Sequence, residues 1–173
     1  MFMKHIDIVD FDFTHFAEHG RYNFYKVLVV GKDVFEYGGF SKGVKHPAIM
    51  KSDDVELILN SLAFFDIIYF TRYETNVELI SAVSRKGKVF LISLADVLER
   101  KGISRAVMMY RISRFLQFCR SYKADFIICS RAKNAIGLRD VDEIVEICKI
   151  LGLETEETRG ALSRLPSYIE ATD

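Results

Sequence analysis

The chain has 173 residues, half of them apolar, and its 24 basic and 24 acidic side chains leave no net formal charge. That length suits one domain with a sizeable core, and that apolar share excludes a disordered chain. Asn60, Ser61 and Asp66 break the longest apolar stretches, so no segment is read as spanning a bilayer.

The opening MFMKHIDIVDF lacks an apolar targeting core, and the expectation is a cytoplasmic protein without a secretory signal. Residues 5–11 (HIDIVDF) read as a strand, 13–20 as a short helix closed by Gly20, and 25–31 (YKVLVVG) as a fully apolar strand. Gly38 and Gly39 mark a loop or short hairpin, and 47–51 (PAIMK) a brief strand entered through Pro47. Ser52 is placed to cap a helix whose first turn carries Asp53, Asp54 and Glu56, acids that suit a helix N-terminus. Next come a strand at 66–70 (DIIYF), a helix over 75–86 ending at Gly87, a strand at 88–93 (KVFLIS) and a short helix to about Lys101. Residues 104–122 predict the longest helix, with Met108, Ile112, Phe115, Cys119 and Tyr122 on one face. A strand at 125–130 (DFIICS) follows. Asp140 and Glu143 form a capping-box pattern for a helix through Ile150, stopped by Gly152. Thr155 then caps a last helix to about Arg164, before Pro166.

Apolar strands alternating with helices specify a parallel sheet covered by helices. Six or seven strands without a Gly-rich dinucleotide loop favour a small, incomplete α/β barrel over a doubly wound sheet, as a single domain over residues 1–173. Cys119, Cys129 and Cys148 lie inside apolar patterns and match no zinc-pair spacing. They read as buried, reduced thiols.

Charge is segregated along the chain. Residues 99–139 hold ten Lys or Arg against two acids, Glu99 and Asp125, giving +8. Residues 140–173 hold three against nine, giving −6, and residues 1–98 carry −2, so the surface is expected to be polarised.

In α/β barrels, functional groups sit where strands end and the next helices begin. Those points here carry Lys32, Lys51, Arg72, the Ser93–Asp96 turn and Ser130-Arg131-Ala132-Lys133, with Arg139 just beyond. This mostly cationic set suits phosphate binding better than acid–base chemistry. The long helix adds Arg105, Arg111 and Arg114 beside its apolar face, either as snorkelling residues framing the core or as an RNA-facing patch. Metal chemistry is poorly supported: His5 and Asp7 could mimic first-strand ligands, but no His follows His46, and His15 and His19 flank Phe16 where a zinc protease needs Glu. There is no nucleophile elbow, Walker loop or dinucleotide fingerprint. Two alternatives stay open: a metal-dependent barrel phosphoesterase using His5 and Asp7, and a protein-assembly module that binds no RNA.

The stretch ADFIICSRAKNAIGLRDVDEIVEICKILGLETEETRGALSRLPSYI (124–169) resembles the C-terminal block of ribonuclease P protein component 3, the thirty-kilodalton-subunit family of archaea and eukaryotes. The features that carry the likeness are Ser130 at the strand end, Leu138-Arg139 ahead of Asp142, Leu151-Gly152-Leu153, and Leu162-Ser163 with Pro166. RAVMMYRISRFLQFCRSYKADF, FFDIIYFTR and GKVFLISL resemble the preceding helix and middle strands. One departure is Arg131, which stands where that family usually carries Gly.

The resemblance implies a TIM-like, irregular α/β barrel related to the PHP phosphoesterases but stripped of their metal ligands. It implies a ribonucleoprotein that removes 5′ leaders from precursor tRNA, in which catalysis belongs to the RNA and its Mg²⁺. The chain itself would carry no catalytic residue, metal or cofactor. Its partners would be RNase P RNA, precursor tRNA indirectly, a small ferredoxin-like RNase P protein subunit and other RNase P proteins, with no membrane. Arg131, Lys133, Arg139, Arg72, Arg105, Arg111 and Arg114 are the candidate RNA- or partner-binding residues.

Overall fold

Seven parallel strands and seven α-helices lie within residues 6–10, 26–38 and 47–169, which are those a computed structural model of the protein describes. In chain order these are β1 (Ile6–Val9), β2 (Lys26–Val29), β3 (Phe35–Tyr37), β4 (Ala48–Ser52), α1 (Val55–Ser61), β5 (Ile67–Phe70), α2 (Val77–Arg85), β6 (Val89–Ser93), α3 (Ala95–Leu98), α4 (Gly102–Ser121), β7 (Asp125–Cys129), α5 (Val141–Ile150), α6 (Thr155–Ser163) and α7 (Leu165–Ile169). The helix expected over 13–20 lies outside the described residues, as do His5, His15, His19 and His46.

Strands β3 to β7 form one sheet in sequence order, and β1 pairs with β2. The pair joins the sheet at both edges. The Arg131 N–H donates to the Ile8 carbonyl at 2.9 Å and the Asp10 N–H to the Ala132 carbonyl at 2.8 Å, which fastens β1 to the β7 exit. A single bridge between Val30 and Val34 links the β2 and β3 ends. Strand order therefore runs 1 to 7 without reversal and returns to 1, which is barrel order; a doubly wound sheet reverses its order at a switch point. The barrel is irregular because the β2–β3 seam is one bridge and the β5–β6 register covers only two residue pairs.

Burial follows from this arrangement. Every residue of β5 and β6 is buried, as expected for parallel strands covered by helices. Helix α4 presents Met108, Ile112, Phe115, Leu116 and Cys119 to the sheet. Phe115 is the hub, with its ring edge-on to Phe90 at 4.9 Å and to Tyr73 at 5.8 Å. All three cysteines are buried free thiols.

Several local expectations are corrected. The segment before Gly38 is a strand, β3, parallel to β4 and not one arm of a hairpin; with three half-buried residues it has no readable alternation. Ser52 closes β4, and Asp54 caps α1 by accepting from the Glu56 and Leu57 N–H groups. Asn76 caps α2 through the Leu79 N–H. Glu154, with no side-chain bond, holds the cap position of α6 that Thr155 was expected to take. Helix α6 ends at Ser163, about where expected, but it is not the last: Pro166 sits in the first turn of α7, where a missing N–H costs nothing. Tyr122 lies past the end of α4, exposed and stacked on Phe118, and is not part of the core face. The Asp140–Glu143 capping box is present as expected, with reciprocal bonds of 2.7 and 3.1 Å.

Candidate functional site

The strand ends gather around β1 and β7. Asp7, on β1, is fully buried and accepts three hydrogen bonds, from the Ile8 N–H at 2.9 Å, the Ser130 N–H at 2.6 Å and the Ser130 hydroxyl at 2.5 Å. Burial pushes its carboxyl up to about 6, against the opposing pull of the Ser130 and Ile8 bonds. Both carboxylate oxygens are thus engaged by the β7 exit. Among the described residues, no three His, Cys, Asp or Glu side chains converge on a point that could hold a metal ion.

Arg131 follows at once and turns inward. Its φ of +48° lies in the left-handed region that favours glycine, and its side chain is only 4% exposed. Nε and Nη2 grip the two oxygens of Asp10 at 2.7 and 3.1 Å, and Nη1 donates to Glu36 at 2.6 Å. The guanidinium also lies 5.2 Å over the Tyr69 ring. Burial alone would lower its basicity, but Asp10 and Glu36 outweigh burial and hold the proton more firmly. Lys51 meets the other oxygen of Glu36 at 3.1 Å and sits beside the same ring. Arg131, expected among the RNA- or partner-binding residues, is therefore not presented to solvent. Backbone direction and two carboxylates turn it into an internal clamp between the exits of β1, β3 and β7.

A second buried cluster fills the mouth further. The hydroxyls of Tyr69 and Tyr73 both donate to Asp96 at 2.8 Å, and the Tyr73 oxygen accepts the Ser93 N–H at 3.0 Å. Burial first, and then Asp96, push both phenols well above their ordinary range. Neither is disposed to lose a proton near neutrality.

The remaining candidate cations divide by what they touch. Lys133 is exposed and meets Glu99 at 2.6 Å. Arg139 donates through Nη1 to the Ile136 and Leu138 carbonyls at 2.8 and 2.6 Å. Both line one groove of about 220 Å³ at the β7 exit, together with Ile136, which is 86% exposed. Asn134 shapes that loop by accepting the Gly137 N–H across a 3-10 turn. Arg111 and Arg114 line a separate groove of about 300 Å³ beside Tyr110. Arg72 is tied to Asp53 by two bonds on the surface. Arg105 donates to the Leu98 and Arg100 carbonyls and braces the turn between α3 and α4. The structure thus brings together Lys133 with Arg139, and Arg111 with Arg114, while Arg131, Arg105 and Arg72 line neither groove.

Sequence reasoning passed over Asp10, Glu36, Tyr69 and Tyr110. The first two carried a usable signal, because acids at the same strand exits as the cations are their natural partners. Tyr110 carried another, as an aromatic on the long helix that falls off the apolar stripe.

A family model described as RNase P subunit p30 matches residues 56–171. Among curated proteins, the ribonuclease P protein component 3 of Methanosarcina mazei is 30% identical over 94 residues, covering 54% of this chain and 39% of that protein. Its counterpart from Methanosarcina acetivorans is 28% identical over 96 residues, covering 56% and 40%. The chain matches about two fifths of the length of these relatives. A chain in a cryo-EM structure of archaeal ribonuclease P with mature tRNA superposes with a TM-score of 0.67 at 12% identity, covering 94% of this chain and 81% of that one, a likeness of fold.

Proposed function

The chain belongs to the RNase P subunit p30 family, and we propose that it serves as a protein subunit of a ribonuclease P ribonucleoprotein, supporting the catalytic RNA in removing 5′ leaders from precursor tRNA. The observation that carries this reading is the reach of the family match. Residues 56–171 include β5 to α7, and with them Lys133 with Arg139, Arg111 with Arg114, and Arg131 itself.

The chemistry of the barrel mouth supports a role without catalysis. General acid–base work needs a titrating group within reach of substrate, and metal chemistry needs open ligands. Asp7, Asp10, Glu36 and Asp96 each have partners inside the fold. The cations that reach solvent suit phosphate instead. Lys133 is paired only to an exposed glutamate, and such surface pairs contribute about 0–1 kcal/mol, little enough to exchange for a phosphate oxygen.

In this reading bond cleavage falls to the RNA and its Mg²⁺, and the protein holds no cofactor of its own. Its direct partners are RNase P RNA, a small ferredoxin-like RNase P protein subunit and other RNase P proteins, with precursor tRNA reached through the RNA, in the cytoplasm. Recovery of the tagged chain from its host, with sequencing of bound RNA and identification of bound proteins, tests the assignment. A structured RNA that supports leader removal in Mg²⁺ is the expected finding. Recovery with proteins alone would support an assembly module and overturn it.

A further inference from the structure

We propose that the groove between the β5 exit and the middle of α4 binds a single-stranded RNA segment, with a base stacked on Tyr110 and the adjoining phosphates on Arg111 and Arg114. The proposal rests on the reading above that RNA is the macromolecular partner, and it names the class of RNA structure and the residues that take it.

One wall of the groove is built rigidly. Tyr73 is 1% exposed, holds a φ of +50°, and is pinned by its hydroxyl to Asp96 and to the Ser93 N–H. A bulky residue keeps such a backbone only when its surroundings fix it, and residues held this way cluster at functional sites. The pinned tyrosine sets the path of Glu74 and Thr75, which line the groove directly after it.

The opposite wall is helical. Arg111 and Arg114 stand three residues apart on α4, so their side chains share a flank, and both are exposed. Arg114 donates to the neutral Gln117 at 3.2 Å, and among the described residues neither arginine has a carboxylate within ion-pair distance. That sets them apart from Arg131, Arg72 and Arg120, which are all neutralised by acids. Tyr110, on the same helical wall, lines the groove and is 67% exposed.

This set of groups matches single-stranded RNA. Bases freed from a duplex stack on exposed aromatic rings, while arginines take phosphates and stack in their turn. A groove of about 300 Å³ has room for a single nucleotide. Glu74 repels phosphate, so the backbone is driven toward the arginine side. The same carboxylate, with the Thr75 hydroxyl, can accept a hydrogen bond from a ribose 2′-OH, which deoxyribose lacks.

Titrations of the purified full-length chain with labelled RNA hexamers, the matching DNA hexamers and an RNA duplex, at several salt concentrations, test the site. RNA single strands should bind ahead of the other two. Tyr110→Ala should weaken hexamer binding about tenfold, with Tyr110→Phe binding like the parent. Arg111→Ala with Arg114→Ala should lower the salt slope by roughly 1.4, two contacts' worth on a single strand. Glu74→Gln should narrow the preference for RNA over DNA, and Lys86→Ala with Lys149→Ala, at the C-terminal ends of α2 and α5, should leave hexamer binding unchanged. Equal losses from the arginine-groove and Lys86/Lys149 variants, or none from Tyr110→Ala, would overturn the proposal. Release of a protein subunit from the assembled particle by Tyr110→Ala, with hexamer binding intact, would assign the groove to protein and equally overturn it. Failure of the parent chain and its protein partners to associate with RNase P RNA is a separate result that strikes the RNase P reading. Groove variants that lose hexamers on an otherwise intact particle uphold both.

Discussion

Arg131 and Asp10 are joined side-on by two hydrogen bonds, of 2.7 and 3.1 Å, although 121 positions separate them in the chain. The pair sits beside the backbone seam that fastens β1 to the β7 exit, so it locks the closure of the barrel. Arg131→Ala should therefore cost about 2–4 kcal/mol, since it strands the partly buried Asp10 carboxylate and leaves Glu36 to Lys51 alone. Arg131→Gly removes the same contacts but relieves the left-handed backbone, and should be milder by about 1 kcal/mol. Arg131→Lys should rescue little, because an ammonium cannot grip Asp10 side-on. Urea unfolding of the three variants makes the comparison, and a Gly variant no better than the Ala variant would remove backbone strain from the account.

Asp7 gives the barrel seam a pH dependence. Its folded carboxyl titrates near 6, above the unfolded value of 3.8, so the folded state binds the proton more tightly. The contribution is fully present below 3.8 and is lost as pH rises toward 6, amounting to about 2–3 kcal/mol. Asp7→Asn keeps an acceptor for the two N–H groups and does not titrate. Relative to the parent, this variant should gain stability between pH 4 and pH 7. Urea midpoints that differ by a constant amount across that range would contradict the assignment.

The thiols of Cys119 and Cys148 are pushed up to about 12 by burial, so both should resist alkylation until the protein unfolds. Replacement of Cys119 by Ser should destabilise by about 1–3 kcal/mol, because the new hydroxyl enters an apolar site. Cys148→Ser should cost less, since Thr158 already bonds the thiol and can bond its replacement. Fast labelling of either thiol in the native protein would refute the burial, and equal costs would refute the role of Thr158.

How much of this was legible in the chain depends on the range of each interaction. The Asp140–Glu143 box lies within one turn, and both halves of it are written in four consecutive residues. Strands β5 and β6 announce themselves as apolar runs, and the Met108–Ile112–Phe115–Cys119 stripe does so by spacing. The direction of Arg131 was not legible. A cation at a strand exit faces solvent or core according to what the barrel closure brings to it, and Asp10 and Glu36 arrive from 121 and 95 positions away. The strand β3 was missed for a different reason, being too short and too evenly half-buried to show a period.

With Arg131 turned inward, Lys133 and Arg139 are the β7-exit cations that the proposed function leaves to meet RNA. Changing both to Ala should lower the salt slope of assembly on RNase P RNA by roughly 1.4 to 1.8, from 0.7–0.9 per phosphate contact. Lys86 and Lys149 follow or close helices α2 and α5, at the opposite end of the barrel, and their replacement should change it much less. Equal effects from the two pairs would point to diffuse charge. Loss of a protein subunit at an unchanged RNA salt slope would place Lys133 and Arg139 at a protein interface.

The most direct test asks which component does the chemistry. The tagged chain, recovered with its partners, is assayed for leader removal from precursor tRNA in Mg²⁺, before and after nuclease treatment that is quenched ahead of substrate. With the barrel-mouth carboxylates Asp7, Asp10 and Asp96 engaged inside the fold, cleavage should disappear with the RNA and return when intact RNase P RNA is added back. Cleavage at the leader junction that survives nuclease, from the chain alone, would contradict the account.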